Sequence, residues 1–533
     1  MHESTTDAPP HEPGAFAPLA QPGFRWLWPA VLVSYIGIWG QGVGAQWLLV
    51  NGPNASVTVA LVQTAVMLPM MLFTLPAGVL ADRYDRRWIM LVAQVYVIAC
   101  SLTLAALTAV GLASAPVVLA FTFLLGLGGA AMQPSWQATL PEVVPREELG
   151  AAMRLEGVGI NFGRAIGPAL AGLVIAAAGV PWVFVLTAFT AVVFGLALVT
   201  WKRPPLSVAP PARERFIPAL RAGVRYVRHD AVVRRILLRA VMFIAPGAVL
   251  WALIPLVARE LLHVSSGAYG LLFGALGAGA ILAALTIGRL RTVMSTNTML
   301  LLAGLLFAAV VAVLVLVPSF ALALVVLVLG GAAWATVIAT LNTDLQVVLP
   351  VWVRARGLSV FLVTFTGSQA VASFLWGQLA ASIGVVSTFL VAAGLVAVLS
   401  LAGLLLRMPD IRGADQSASP YWGDVALPIE LQPTDGPILV TVEYTVPAAN
   451  QPEFIASTAE LRHSRLRSGA IRWELYRVAE DPEVFIEAFQ VGSWEEHQAQ
   501  HRDRLTVGDQ RVEQTTHAYS SKPPTARHLV PPF

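Results

Sequence analysis

Gly78-Val79-Leu80-Ala81-Asp82-Arg83-Tyr84-Asp85-Arg86-Arg87 is a charged decapeptide set between two long apolar runs. Val57 to Ala81 and Trp88 to Val110 contain no Asp, Glu, Lys or Arg. At about 1.5 Å of rise per residue, each run is long enough to cross a hydrocarbon layer of about 30 Å. The turn holds too many charges to lie in lipid, so the stretch reads as the tight connection of a membrane-helix hairpin.

Composition points the same way. Of 533 residues 56% are apolar and 12% charged, and the mean hydropathy is +0.70; a soluble domain carries about 25% charged residues. A net charge of +3 is too small to make an electrostatic case for nucleic acid. The lone cysteine, Cys100, rules out an intramolecular disulfide.

Working outward, hydropathy predicts twelve spans: 25–50, 57–81, 88–110, 116–138, 151–178, 181–201, 234–258, 266–289, 296–316, 320–345, 357–380 and 385–407. Arg83, Arg86, Arg87, Arg146, Lys202, Arg203, Arg289, Arg291, Arg354 and Arg356 fall in alternate connections, whereas the opposite loops hold only Arg259. By the positive-inside rule both termini are expected in the cytoplasm. The Pro-rich residues 1–24 read as a disordered cytoplasmic tail without the basic start of a signal peptide. Residues 202–233 read as an amphipathic cytoplasmic linker, with Phe216, Leu220, Val224 and Val227 opposite Arg213, Arg221, Arg225 and Arg228 and the helix lying flat at the interface between two halves.

Residues 25–201 and 234–407 are related halves. A constant offset of 205 positions lays Arg86 on Arg291, Gly126 on Gly331, Pro145 on Pro350, Gly172 on Gly377 and Phe184 on Phe389. Two six-helix bundles with substrate held near the midplane follow from such parallel repeats.

The opening decapeptide resembles the Gly-x-Leu-Ala-Asp-Arg-x-Gly-Arg-Arg signature of the major facilitator superfamily, with Gly78, Leu80, Asp82, Arg83, Arg86 and Arg87 matching and Asp85 replacing the second glycine. The resemblance implies that Gly78 permits close helix approach and that Asp82 latches the cytoplasmic gate at the positive end of a neighbouring helix. In the fifth span, Gly163, Gly167, Pro168 and Gly172 resemble the Gly-x-x-x-Gly-Pro-x-x-Gly-Gly pattern of proton-exchanging exporters, with Ala171 departing from it. Overall the first 410 residues look most like the branch containing the enterobactin exporter. The resemblance thus implies efflux of a small molecule, such as a siderophore or aromatic drug, through the bacterial inner membrane by alternating access, powered by the proton gradient and without a cofactor.

Charges within spans are functional candidates. Arg164 sits near the bilayer middle, where a substrate anion and a structural partner are both open readings. Glu156, beside Arg154, is a proton carrier or a brace for the gate; Asp344 is expected to pair with Arg354 or Arg356 in that gate. Gln133, Trp136 and Asn161 are candidate cavity residues by family position, and aromatic faces around one arginine would suit a flat, partly anionic molecule.

After a polar linker, 408–436, the composition becomes that of a soluble domain, 437–533. Strands over 438–446, 471–478, 484–492 and 510–519, with helices over 452–468 and 493–504, predict a ferredoxin-like fold. Phe485-Ile486-Glu487-Ala488-Phe489 followed by Gly492-Ser493-Trp494-Glu495-Glu496-His497 and His501 resembles the dimeric α/β-barrel domains of antibiotic-biosynthesis monooxygenases. His463, His497, His501 and Trp494 are its pocket candidates. Surface histidines are the alternative, and no metal is assigned. The domain is expected to oxidise an aromatic compound, to pair protomers as a homodimer, or to sense cargo. The predicted whole is an all-α membrane protein of twelve helices in two bundles plus an α+β domain, in contact with lipid and a small molecule and with no nucleic acid.

Overall fold

The structure is a computed structural model that describes residues 14–201, 216–409, 419, 421–422 and 428–532. Residues 1–13 of the expected tail and 202–215 of the expected linker, including Lys202, Arg203 and Arg213, lie outside the described residues, as do the side chains of Asp82, Phe216, Leu220 and Arg221.

Six long helices form the first half: α1 (Pro22–Leu49), α2 (Ala55–Arg83), α3 (Arg86–Ala109), α4 (Ala115–Val143), α5 (Leu149–Ala178) and α6 (Pro181–Thr200). After α7 (Phe216–His229), six more follow: α8 (Ala231–Leu256), α9 (Ser266–Val293), α10 (Thr296–Leu316), α11 (Phe320–Val348), α12 (Val351–Ile383) and α13 (Val385–Ala402). Among the described residues eleven helices are long and apolar enough to span a bilayer. The other long helix, α1, has 28 residues and a single charge, Arg25; its glycines, glutamines and Pro22 lower its apolarity without shortening it. Cys100 is buried and free.

By contact the chain falls into two compact units. One holds residues 1–211, 240–339 and 363–405, and so most of both bundles. Its first bundle packs around Phe24, Leu27, Trp136, Leu140, Phe194 and Leu198, all nearly inaccessible. Small residues set the helix spacing, as membranes require where no hydrophobic effect drives association. A β-carbon added at Gly126 would lie 2.8 Å from Pro69 of α2. Its repeat mate Gly331 presses in the same manner on Leu276 of α9, whose α-carbon would be 2.9 Å away.

The halves meet through a second pair of repeat mates. Gly172 of α5 abuts α9, where an added β-carbon would lie 2.5 Å from the Ser266 carbonyl oxygen. Gly377 of α12 abuts α2, 2.6 Å from Ala60 by the same measure. Gln46 joins this seal, accepting from the Tyr269 hydroxyl (2.7 Å) and donating to the Trp251 carbonyl (3.1 Å). Arg259 donates to Asn51 at 2.9 Å. These contacts run from the helix middles to the ends opposite the arginine-rich turn. At the turn end, Gly78 and Gly288 have nothing within 4 Å of an added β-carbon among the described residues.

The second unit holds residues 212–239, 340–362 and 406–533. Its sheet has the order β2–β3–β1–β4, built from β1 (Ile438–Thr445), β2 (Ala470–Arg477), β3 (Val484–Val491) and β4 (Thr525–Leu529), all antiparallel. Helices α14 (Gln451–Ser468), α15 (Trp494–Ala499) and α16 (Val507–His517) complete a ferredoxin-like arrangement. The expected last strand over 510–519 is instead α16. Thr506 and Asp509 form a reciprocal capping box that fixes a helix start there, and the sheet is closed by a short edge strand further on. The linker helix also differs from expectation: Ala222, Gly223, Tyr226 and Asp230 form the buried face, while Val224 is 51% exposed. Tyr226 meets Trp352 edge-on, and Arg467 of α14 reaches Asp230 at 3.4 Å.

Candidate functional site

Helix α5 carries two of the charges that lie within the membrane unit's spans, Glu156 and Arg164. Gly163 and Gly167 bring it against α1, where added β-carbons would strike Tyr35 (2.5 Å) and the Ile36 carbonyl (2.7 Å). Between these glycines Arg164, at the middle of the helix, lays its guanidinium over the Trp39 ring, 4.8 Å from the centroid. No carboxylate pairs with it among the described residues, and its Nε lacks a hydrogen-bond partner. A cation–π contact stabilises such a charge by about 2 kcal/mol when desolvated, which leaves room for an anion.

Two turns earlier Glu156 is 4% exposed. It accepts a hydrogen bond from the Tyr35 hydroxyl. Its Oε2 has no hydrogen-bond partner, and no cation pairs with it among the described residues.

Trp136 does not line a cavity. It is 1% exposed and sits edge-on to Phe194 in the first bundle's core, because its face of α4 turns inward. Asn161 donates to the Gly157 carbonyl of its own helix at 2.9 Å. Gln133 keeps a buried Oε1 without a hydrogen-bond partner. At the charged turn, Arg86 donates to Glu142 (2.8 Å) and to the Ala138 carbonyl (2.5 Å), and Arg87 to the Val199 carbonyl (2.7 Å). Arg83 and Leu80 are exposed. Asp85, the departure from the motif, caps α3 through the Arg87 amide at 2.9 Å.

In the second unit Asp344 is buried, and its charge acts on the equally buried Arg239 of α8. Arg354 donates to the Leu349 carbonyl. Arg239 lies inside an apolar run and was not singled out by sequence, although an isolated charge there is a signal.

The ferredoxin-like module carries a half-open cavity of about 740 Å³ lined by Tyr421, Trp422, Arg465, Phe489, His497, His501, Glu513 and His528, among others. Arg465 is fully buried between Glu487 (2.9 Å) and Glu513 (2.6 Å). Burial opposes its charge, but the two carboxylates outweigh burial and hold it protonated well above the ordinary arginine range. Burial likewise raises Glu513, and Arg465 reverses this to leave its carboxyl below the usual range. Asp509 behaves the same way beside Arg467. His497 is fully buried and, chiefly through burial, pushed down to about 3, so it is neutral.

Of the sequence candidates, His497 and His501 line the cavity, and Trp494 packs 5.6 Å from His497. His463 is exposed on α14 and does not line it, its side chain pointing away from the sheet. His517 and His528 also line it, and His528 lies on the strand that sequence misplaced.

The family model described as "Transmembrane secretion effector" matches residues 13–531, and so includes the module. The enterobactin exporter EntS of Citrobacter koseri is 28% identical over 394 residues, covering 73% of this chain and 91% of that protein. The staphyloferrin A transporter of Staphylococcus aureus is 24% identical over 291 residues, covering 53% and 71%. Two solved structures share the fold: a bacterial homologue of the human lysosomal transporter Spinster, inward-facing and unoccupied (TM-score 0.57, 15% identity, 73% and 99% covered), and a D-xylose–proton symporter (TM-score 0.59, 14% identity, 73% and 99%). The chain belongs to the transmembrane secretion effector family of the major facilitator superfamily and is a multi-pass membrane transporter.

Proposed function

We propose that this protein exports a small anionic aromatic molecule, such as a catecholate siderophore or an acidic drug, across the bacterial inner membrane in exchange for protons. Arg164 carries the reading: a guanidinium at mid-membrane, stacked on Trp39 and without a carboxylate partner, suits a flat anion. Glu156, buried with one unpartnered oxygen two turns away, is the proton carrier in this scheme. Helix contacts within the bundles support the alternation: Gly172 against α9 and Gly377 against α2 are repeat-related contacts that rocking the two halves would make and break. The positive-inside rule favours a cytoplasmic placement of the arginine-rich end and both termini. Names of relatives that export siderophores support the direction.

A second reading rests on the module's aromatic cavity: a membrane-tethered oxygenase whose product the bundles remove. If removing residues from Gly436 onward abolishes product formation but leaves export of preformed compound intact, that reading prevails.

The test is intracellular accumulation across a panel of siderophores and drugs in an exporter-deficient strain. Expression is expected to lower accumulation of anionic aromatic compounds, and equal accumulation with and without expression across the panel overturns the proposal.

A further inference from the structure

His497, His501 and His528 turn their Nε2 atoms toward one point on the cavity wall of the soluble module. His497 Nε2 lies 3.3 Å from His501 Nε2 and 2.9 Å from His528 Nε2. One donor atom from each falls within 4.8 Å of the others. A tetrahedral ion with metal–nitrogen bonds of about 2.05 Å places its ligand nitrogens about 3.3 Å apart.

The positions are set by rigid elements. His497 and His501 lie four residues apart, across the junction of α15 with the wider turn Gln500–Arg504. His528 is held by the ladder pairing it with Val440 of β1. The tautomer of His497 is fixed from behind. Gln500 donates its amide to the Ser468 hydroxyl at 3.2 Å, so its carbonyl oxygen faces His497 Nδ1 at 3.0 Å. Nδ1 therefore carries the hydrogen, and Nε2 offers a lone pair inward, which is how outer-shell partners prepare a ligating imidazole. One lone pair facing two further imidazole nitrogens is better served by a cation at the centre of all three.

We infer that His497, His501 and His528 form a three-histidine site for a divalent transition-metal ion in the soluble module, with a fourth coordination position open to the cavity. All-nitrogen ligation selects Zn²⁺, Co²⁺, Ni²⁺ or Cu²⁺ over Mg²⁺ and Ca²⁺. Three protein ligands with one exchangeable position is the pattern of a reactive or sensing site rather than a closed structural one. Trp422, whose ring centre is 4.8 Å from that of His501, stands on the cavity wall to receive a fourth ligand with aromatic character. The site uses no residue of the membrane-spanning helices, so it stands whether or not the exporter reading does.

The test uses the full chain in detergent, stripped with a chelator and titrated with Zn²⁺ by calorimetry and with Co²⁺ by visible absorption. One ion per chain is expected, with the d–d bands of four-coordinate cobalt. His501→Ala and His528→Ala, both at partly exposed positions, should each weaken binding by about tenfold or more and abolish those bands. His463→Ala, on the outer face of α14, should bind as the unmodified chain does. Thermal unfolding of each variant without metal establishes that the module is folded. No stoichiometric binding by the folded unmodified chain, or unchanged affinity in both His501→Ala and His528→Ala, overturns the site.

Discussion

The seal between the bundles gives the most specific prediction. Gly270 of α9 faces α5 so closely that an added β-carbon would lie 2.6 Å from the Pro168 carbonyl oxygen and 3.1 Å from the Gly172 α-carbon. All the atoms it meets are backbone, so no side chain can rotate away. Restoring ordinary contact requires the helices to part by about 1 Å, and overpacking of this kind costs about 1–3 kcal/mol. Gly270→Ala should therefore disfavour the sealed state by about 5- to 150-fold relative to its alternative. The reporter is Ala60→Cys in a Cys100→Ala background, since Ala60 is inaccessible against Gly377 on the other limb of the seal. Its reaction with an impermeant maleimide applied to the face opposite the arginine-rich turn should quicken by that factor. Gly394→Ala, with nothing within 4 Å of the new carbon, should leave the rate unchanged. An unaltered rate in Gly270→Ala protein that inserts normally refutes the assignment of this seam as the gate.

Arg164→Ala should depress transport of an anionic substrate by at least about tenfold more than that of a neutral one, read as initial rates in vesicles, whereas equal losses make the residue structural. Glu156→Gln should abolish uphill, proton-driven transport while sparing substrate–substrate exchange, and retention of both removes the carboxyl from the proton path. Arg465→Met strands Glu487 and Glu513 in the module's interior and should cost about 3–5 kcal/mol, seen as a drop in the module's unfolding temperature. Because Glu513 and Asp509 hold folded pKa values below their ordinary 4.5 and 3.8, their stabilisation is fully present above those values and lost as pH falls through the lower folded ones. The module's unfolding temperature should thus fall steeply on acidification below about pH 4.5 and be flat with respect to these groups at neutrality.

The membrane architecture was legible because a run of twenty uncharged residues has few alternatives: α6 and α10 begin and end within a residue of expectation. The internal repeat was legible in register, and Gly126/Gly331 and Gly172/Gly377 make equivalent contacts in the two halves. What failed depended on partners distant in sequence. The linker's buried face is that of Tyr226, because Trp352 meets it there; helical periodicity alone favoured the Val224 face. A closing strand was expected over 510–519, and the Thr506–Asp509 cap, which starts a helix just before it, was the overlooked signal. That error displaced β4 and hid His528. His497 and His501 were visible as neighbours on one helix, but only the pairing of β4 with β1 supplies the third imidazole.

The most direct measurement of the account is made in everted membrane vesicles, where the cytoplasmic face is outward, energised so that the lumen is acidic. A labelled catecholate should accumulate in vesicles containing the unmodified protein, collapse on addition of a protonophore, and fail to accumulate with Arg164→Ala or Glu156→Gln. Uptake no greater than in vesicles without the protein, or uptake indifferent to the proton gradient, would contradict it.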